Sequence, residues 1–193
     1  MCAEKTTPIP FFATPETHNT KRAADRFANT DFSLLTFAVN VFLPTLLLIH
    51  SGFELGETGP VNTGLGFTPE ETELFPPEKL PLFSAMEMNW GNEKNIVSQI
   101  ASLAVLRNSL VMDKDYKITL EDTQDEIIHF TVSSATKKYI FIGNLSEHEF
   151  NYYIEIPNTS KILHSHLYSQ PDGYIKFHPF GWLIVEEEIA ANI

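Results

Sequence analysis

The spacing of apolar residues changes character part-way along this chain. Up to about residue 110 they fall in continuous runs or at helical intervals, whereas after Asp113 they come in short, β-rich runs separated by polar turns. In the first stretch, Ile9 to Thr14 predicts a strand, and Thr20 to Leu43 predicts helix interrupted near Asn29-Thr30-Asp31, where Thr30 or Asp31 is placed to cap a second helix. Pro44 breaks the pattern, and the unbroken run Thr45 to Ile49 predicts a fully buried parallel strand. Glu57 to Asn92 is a Pro- and Gly-containing excursion longer than ordinary connections, of the kind that is functional or carries small elements of its own. Asn92 is then placed to cap a helix from Glu93 to about Leu110, with Ile96, Val97, Ile100, Ala101, Leu103 and Ala104 on its apolar face.

Beyond Asp113 seven short runs read as strands: Tyr116 to Leu120, Glu126 to Val132, Lys138 to Ile142, Tyr152 to Ile156, Ile162 to His166, Tyr174 to Phe177 and Trp182 to Glu186. The chain therefore divides into residues 1–112, mixed α/β, and 113–193, all-β, with the border at Val111 to Lys114. Phe150, Tyr152, Tyr153, Phe177, Phe180 and Trp182 are expected in the core of the β half. Glu186-Glu187-Glu188 reads as an acidic tail.

Charge narrows the function classes. Thirteen basic residues stand against 25 acidic ones among 193, a net charge of −12, and binding a phosphate backbone needs clustered Lys and Arg, so nucleic acid is not an expected partner. Phe32 to Ile49 has the length of a membrane span, but Asn40 and Pro44 interrupt it, Ser33, Thr36 and Thr45 dilute it, and Lys/Arg flanks are missing, so no membrane association is expected. The single Cys2 forms no internal disulfide, no Cys/His spacing resembles a zinc site, and neither metal nor cofactor is expected. His164 and His166 would share one face of a strand, two ligands without a third. The opening Met-Cys-Ala-Glu-Lys-Thr-Thr-Pro lacks the charged and apolar regions of a signal peptide, which makes the cytoplasm the expected location.

The chemistry concentrates in Pro15-Glu16-Thr17-His18-Asn19-Thr20-Lys21-Arg22-Ala23-Ala24, directly behind the first strand. A strand that ends in a polar pair and turns at once into a helix is how a (β/α)8 barrel presents functional groups at its C-terminal rim. The run resembles the fourth conserved region of glycoside hydrolase family 13, the α-amylase family, where a Glu-Asn-His-Asp-like sequence closing barrel strand seven supplies a sugar-contacting His and an essential Asp. His18 matches the His, and Asn19 stands where the family has Asp. Pro44 to Gly56, ending Ser51-Gly52-Phe53-Glu54-Leu55-Gly56, is similar to the strand-eight pattern; Met88-Asn89-Trp90 and Leu106-Arg107 resemble landmarks around helix eight, and His178 to Val185 resembles the closing strand of the C-terminal domain.

Taken in order, these matches cover nearly the whole chain. They imply the last βα units of a (β/α)8 TIM barrel, strand seven to helix eight, followed by an antiparallel β-sandwich. The Pro15 to Ala24 run and Leu34-Leu35-Thr36-Phe37-Ala38 most resemble the maltosyltransferase branch. The implied substrate is an α-1,4-glucan or maltooligosaccharide, taken by maltosyl transfer or retaining hydrolysis. A complete barrel takes about 250 residues, and the family's nucleophile and acid/base carboxyls lie on strands four and five, so the expectation is a C-terminal fragment without turnover by itself. Its partners would be a missing N-terminal barrel segment or an oligomeric neighbour. The alternative is a stand-alone, non-catalytic carbohydrate-binding or assembly protein derived from such an enzyme.

The resemblance gives His18 a hydroxyl to bind and Asn19 the position of the transition-state-stabilising carboxylate, although His18-Asn19 would also serve as a cap for a helix starting near Thr20. Glu16 either lines the rim as a substrate contact or is a solvated turn residue. Arg22 is a substrate-binding candidate by proximity, with a solvated first-turn place, like that of Lys21, as the other reading. Glu54 supports the rim directly or as a structural carboxylate behind it, and His50 reads as a core histidine.

Overall fold

The computed structural model describes residues 12–43, 45–60, 65–80, 88–109, 117–121, 123, 126–134, 136–154, 156–157, 159–171 and 174–189. The chain separates into two compact units, one of Phe11–Val41 with Thr45–Ala104, the other containing Phe42–Pro44 and Val105–Ile193. The border expected at Val111 to Lys114 and the first residues of the expected opening strand, Ile9 to Phe11, lie outside the described residues.

The first unit opens with β1 (Phe12–Ala13), which pairs in parallel with β2 (Leu46–Leu47) in the register Phe12↔Leu46 and Ala13↔Leu47. Between them run α1 (Ala23–Arg26) and α2 (Asp31–Phe42). The interruption falls where expected, but the side-chain acceptor at the start of α2 is Asn29, whose Oδ1 takes Asp31 N at 2.8 Å and Phe32 N at 3.3 Å, rather than Thr30 or Asp31. Leu34, Leu35, Phe37, Ala38 and Val41 form the buried face of α2, at the spacing that keeps one side of a helix inward, and Phe37 meets Phe53 at 5.9 Å.

The second strand is not the fully buried one that its apolar run predicts. Leu46 is 48% exposed, Leu48 and Ile49 are exposed with it, and Phe12 on β1 is 73% exposed. A parallel strand is buried when neighbours and helices cover both its faces, and β1 is the one strand paired with β2 among the described residues. The long excursion does carry elements of its own: α3 (Pro69–Leu74) begins with a reciprocal capping box between Thr68 and Glu71, and a short 3-10 turn follows at Pro77–Lys79. α4 (Val97–Ser109) starts four residues later than expected. Asn92 instead donates to Leu55 O at 2.7 Å and accepts from Lys94 N, while Asn95 Oδ1 accepts Val97 N at 3.3 Å. Ile96 and Leu103 are buried, but Val97 and Ala101 face water, so the apolar face is narrower than the spacing suggests. No described helix is long and apolar enough to cross a membrane.

The second unit is a six-stranded antiparallel sheet of β3 (Lys117–Leu120), β4 (Ile127–Ser133), β5 (Lys137–Asn144), β6 (Phe150–Tyr152), β7 (Lys161–Ser169) and β8 (Ile175–Glu188). Two runs expected as separate strands are one: β8 continues through His178, Pro179, Phe180 and Gly181. Its first residues pair with β6 (Phe150↔Phe177, Tyr152↔Ile175), its later ones with β5 (Gly143↔Trp182 to Lys137↔Glu188), and β7 pairs with both parts. Left-handed backbone at Leu167 (φ 48°) and Phe180 (φ 58°) and a register shift between His166 and Tyr168 mark the change of partner. A Cβ on Gly181 would overlap the Leu167 carbonyl oxygen, which is why the close crossing needs glycine there.

Ile175 and Phe177 from the start of β8 share one core with Leu183 and Val185 from its later part, joined by Ile127, Ile140 and Ile142. On the opposite face Phe130 stacks on Phe141 at 5.1 Å and Phe141 on Trp182 at 6.2 Å, and Phe42, grouped with this unit, meets Phe130 edge-on at 5.3 Å. His164 lies on Trp182 at 5.1 Å and His166 at 6.2 Å. Two expectations fail here. The three glutamates are not a tail, because they end β8, and Glu186 and Glu187 pair with Lys137 (3.0 Å) and Lys138 (3.1 Å) across the ladder. Tyr153 is not core: it follows β6, is 73% exposed, and meets Tyr174 at 5.4 Å.

Candidate functional site

At the C-terminal end of β1 the chain makes a tight polar turn. Thr20 N donates to Thr17 O at 3.2 Å, Thr17 N to Thr20 Oγ1 at 3.1 Å, and Asn19 N to Thr17 Oγ1 at 3.1 Å, which lifts His18 to the surface and leaves Asn19 half-buried. Thr14 Oγ1 donates to Glu16 O, so the residue before the turn is fixed by its neighbour's hydroxyl.

Beneath this turn lies an ion pair. Glu16 is 4% exposed and Arg22 1%. Arg22 Nη1 donates to Glu16 Oε1 at 2.5 Å, while Glu16 Oε2 accepts the first helical N–H, Ala23 N, at 2.7 Å. Arg22 Nε donates to Gly59 O at 3.2 Å. Two buried charges are tolerated only when paired and hydrogen-bonded, and here one carboxylate neutralises the arginine while seating the start of α1. Arg22 Nη1 also stands 2.9 Å from His50 Nδ1, which makes that nitrogen the acceptor and leaves the proton on the other side of the ring. Burial first, and then the Arg22 charge, hold the His50 imidazole below its usual pKa range, with Glu16 pulling the other way and His18 adding to the lowering. The His18 and His50 rings lie 6.5 Å apart.

The turn after β2 closes the site from its other side. Gly52 has φ +90°, its N–H donates to Glu54 Oε2 at 3.1 Å, and a Cβ there would come within 2.9 Å of Glu57 Cγ and 3.1 Å of Arg22 Nη2. Glu57 Oε1 accepts Asn89 N at 2.6 Å. Gly66 N donates to Asn19 O at 2.8 Å, and a Cβ on Gly66 would overlap that same oxygen. The excursion is thus fastened directly to the backbone of Asn19.

The structure brings Glu16, His18, Arg22 and His50 together, and it decides several open readings. His18 and Asn19 do not cap a helix: α1 begins at Ala23, its N-cap position is Arg22 with no side-chain cap, and the first N–H is satisfied by Glu16. Glu16 and Arg22 are not solvated turn residues, because both are spent on each other below the rim. Lys21 does stay near the surface, paired with Asp25 at 3.2 Å. Glu54 holds Gly52, a structural task. His50, Glu57 and Gly66 were not expected at the site; for Glu57 and Gly66 the Gly-containing texture of the excursion was the one signal.

No family model matches the sequence, and no curated protein matches it. Solved structures do. Amy13B of Eubacterium rectale superposes with a TM-score of 0.66 at 17% identity, over 96% of this chain and 41% of its own. The trehalose-6-phosphate hydrolase of Bacillus licheniformis gives 0.66 at 15% identity over 91% and 42%, and an Anoxybacillus α-amylase 0.62 at 15% over 94% and 39%. The fold is that of part of an α-amylase-family enzyme. The chain spans about two fifths of the length of these enzymes, and its sheet-rich second unit fits a C-terminal domain of that family.

Proposed function

We propose that this chain is the C-terminal portion of an enzyme acting on α-1,4-glucans by maltosyl transfer or retaining hydrolysis, with residues 1–112 supplying barrel strand seven to helix eight and residues 113–193 an antiparallel β-sandwich. The carrying observation is the His18-Asn19 turn at the C-terminal end of β1, beside the Gly52 turn at the C-terminal end of a parallel neighbour. In parallel barrels that end of the strands is where substrates are bound. The sandwich is supported by β8, whose two parts pair with different strands yet share one core. A cytoplasmic setting is part of the reading.

In this arrangement His18, exposed on the turn, donates to a sugar hydroxyl. Asn19 offers an amide where a carboxylate would favour positive charge at the anomeric carbon, so it binds neighbouring hydroxyls without that charge. Glu16 and Arg22 position both by fixing the ends of the turn. The nucleophile and acid/base, about 5–5.5 Å apart in a retaining enzyme, are contributed by the rest of the barrel. The exposed apolar side chains Phe12, Leu46, Leu48 and Ile49 are the surfaces that such a segment would cover.

Co-expression with strands one to six of a related barrel tests the reading. Co-purification and release of maltooligosaccharides from an α-glucan are the expected result; a chain that ignores the segment and stays monomeric without binding a hydrophobic dye overturns it. The uncharged Asn19 favours a second reading, a stand-alone carbohydrate-binding or assembly protein, under which the complex forms but stays inactive after Asn19→Asp.

A further inference from the structure

The second unit carries an exposed surface that its fold does not require. In the ladder at the start of β8, Lys176 lies opposite Asn151 of β6 on one side and Ser169 of β7 on the other. Its neighbours Ile175 and Phe177 are core, packed with Phe150, Tyr152 and Tyr168. Strand side chains alternate, so Asn151, Lys176 and Ser169 form a row on the outer face. One step past the Tyr152↔Ile175 pair stand Tyr153 and Tyr174, with ring centroids 5.4 Å apart and planes tilted by 43°. One step past the Phe150↔Phe177 pair stand Glu149 and His178, 2.9 Å apart, and Glu149 also takes Lys176 Nζ at 2.7 Å. Counting along β6 at about 3.4 Å per residue, the face runs roughly 14 Å from Tyr153 to Glu149.

We propose that this face, the Tyr153–Tyr174 pair with Asn151, Lys176 and Glu149 beside it, is a second sugar-binding surface, separate from the His18-Asn19 turn and shaped for a neutral oligosaccharide. A pyranose ring has an apolar C–H face and an edge of hydroxyls. The exposed Tyr153 ring, with the half-buried Tyr174 ring beside it, matches the first, and the adjoining amide, ammonium and carboxylate match the second. Glu149 neutralises Lys176 and also contacts His178 Nδ1, which suits an uncharged ligand better than a phosphate or polyanion. Choosing an α-1,4-glucan as the occupant rests on the function proposed above.

Calorimetric titration of the full chain with maltoheptaose and, separately, cellohexaose decides this. Maltoheptaose is expected to bind, Tyr153→Ala and Tyr174→Ala to weaken it roughly tenfold, equivalent to about 1.4 kcal/mol, and Tyr153→Trp to restore it by keeping a stacking face. The Tyr153-dependent part of this binding should persist in His18→Ala. Unchanged affinity in both alanine variants overturns the second surface, and if His18→Ala alone abolishes binding, the turn stands and this face does not. Tyr153-dependent binding of cellohexaose without maltoheptaose keeps the face and defeats the α-glucan reading. Absence of binding by either sugar, or a dimer dissociated by Tyr153→Ala in light scattering, overturns the proposal in favour of an inert surface or a contact between copies. Tyr153 is exposed, so Tyr153→Ala carries the test even if Tyr174→Ala, at a half-buried ring, melts lower; an unchanged melting temperature verifies that a variant is folded.

Discussion

Arg22 shows what one residue's surroundings can do to its role. From sequence an arginine in a first helical turn is assigned to solvent, because most arginines are exposed; its burial depends on Glu16 and on Gly59, contacts that no local pattern reveals. Removing the carboxylate strands a buried cation, so Glu16→Ala is expected to cost about 3–5 kcal/mol in urea denaturation, and Arg22→Ala a similar amount. Asn19 is singled out in the sequence by its likeness to the family motif, but its tie to Gly66 is not legible there. In a restored barrel Asn19→Asp should raise kcat on a maltooligosaccharide by about tenfold or more, since the charge acts on the transition state, with a smaller change in KM. An unchanged kcat would mean that Asn19 does not face the reacting sugar. His129, bonded to Tyr152 OH at 3.0 Å, and His164 on Trp182 are both held below the ordinary value of 6.5, chiefly by burial. The unfolded chain therefore binds protons that the folded one refuses. Stability is intact above about pH 6.5 and declines as pH falls through that value toward the lowered folded pKa values. Thermal melts from about pH 7.5 down to about pH 5.5 should show this fall, and His129→Gln with His164→Gln should flatten it.

At the scale of elements, the strong signals were read well and the punctuation was not. The helix α2 and the strands β4 and β5 fall where their apolar runs predict, although β5 is buried at six consecutive positions, Tyr139 to Asn144, so both its faces are covered rather than one. Helix starts slipped because several asparagines and threonines compete for each cap; Asn29 and Asn95 reach the free N–H groups by turn geometry that the sequence does not display. The break expected between Phe177 and Trp182 came from Pro179 and Gly181, residues that usually end strands. Here paired irregularities at Leu167 and Phe180 absorb them and the ladder resumes. Gly181→Ala must push β7 and β8 apart at that point, with an expected loss of about 1–3 kcal/mol and a lower melting temperature by circular dichroism. A melt unchanged from the parent would show that the crossing has slack.

For the whole molecule, a boundary near residue 112 describes the β half by its strands but omits Phe42, which the compact grouping places with it. A piece from Met112 to Ile193 is expected to melt cooperatively, since a sheet with its own core of this size can fold alone. Without the Phe42 ring against Phe130, Tyr139 and Phe141 it should be less stable by roughly the 3–5 kcal/mol typical of a deleted core phenylalanine. Broad, gradual melting would contradict that. What the sequence withheld at this scale was coverage: the apolar run of β2 reads as buried, and nothing in it tells that Leu46, Leu48 and Ile49 are exposed. β8 also has a mechanical meaning. Because one strand is hydrogen-bonded to β5, β6 and β7 along its length, tension applied to its end loads many bonds side by side rather than peeling them singly, and the sheet would resist until all three partners let go in a single rupture.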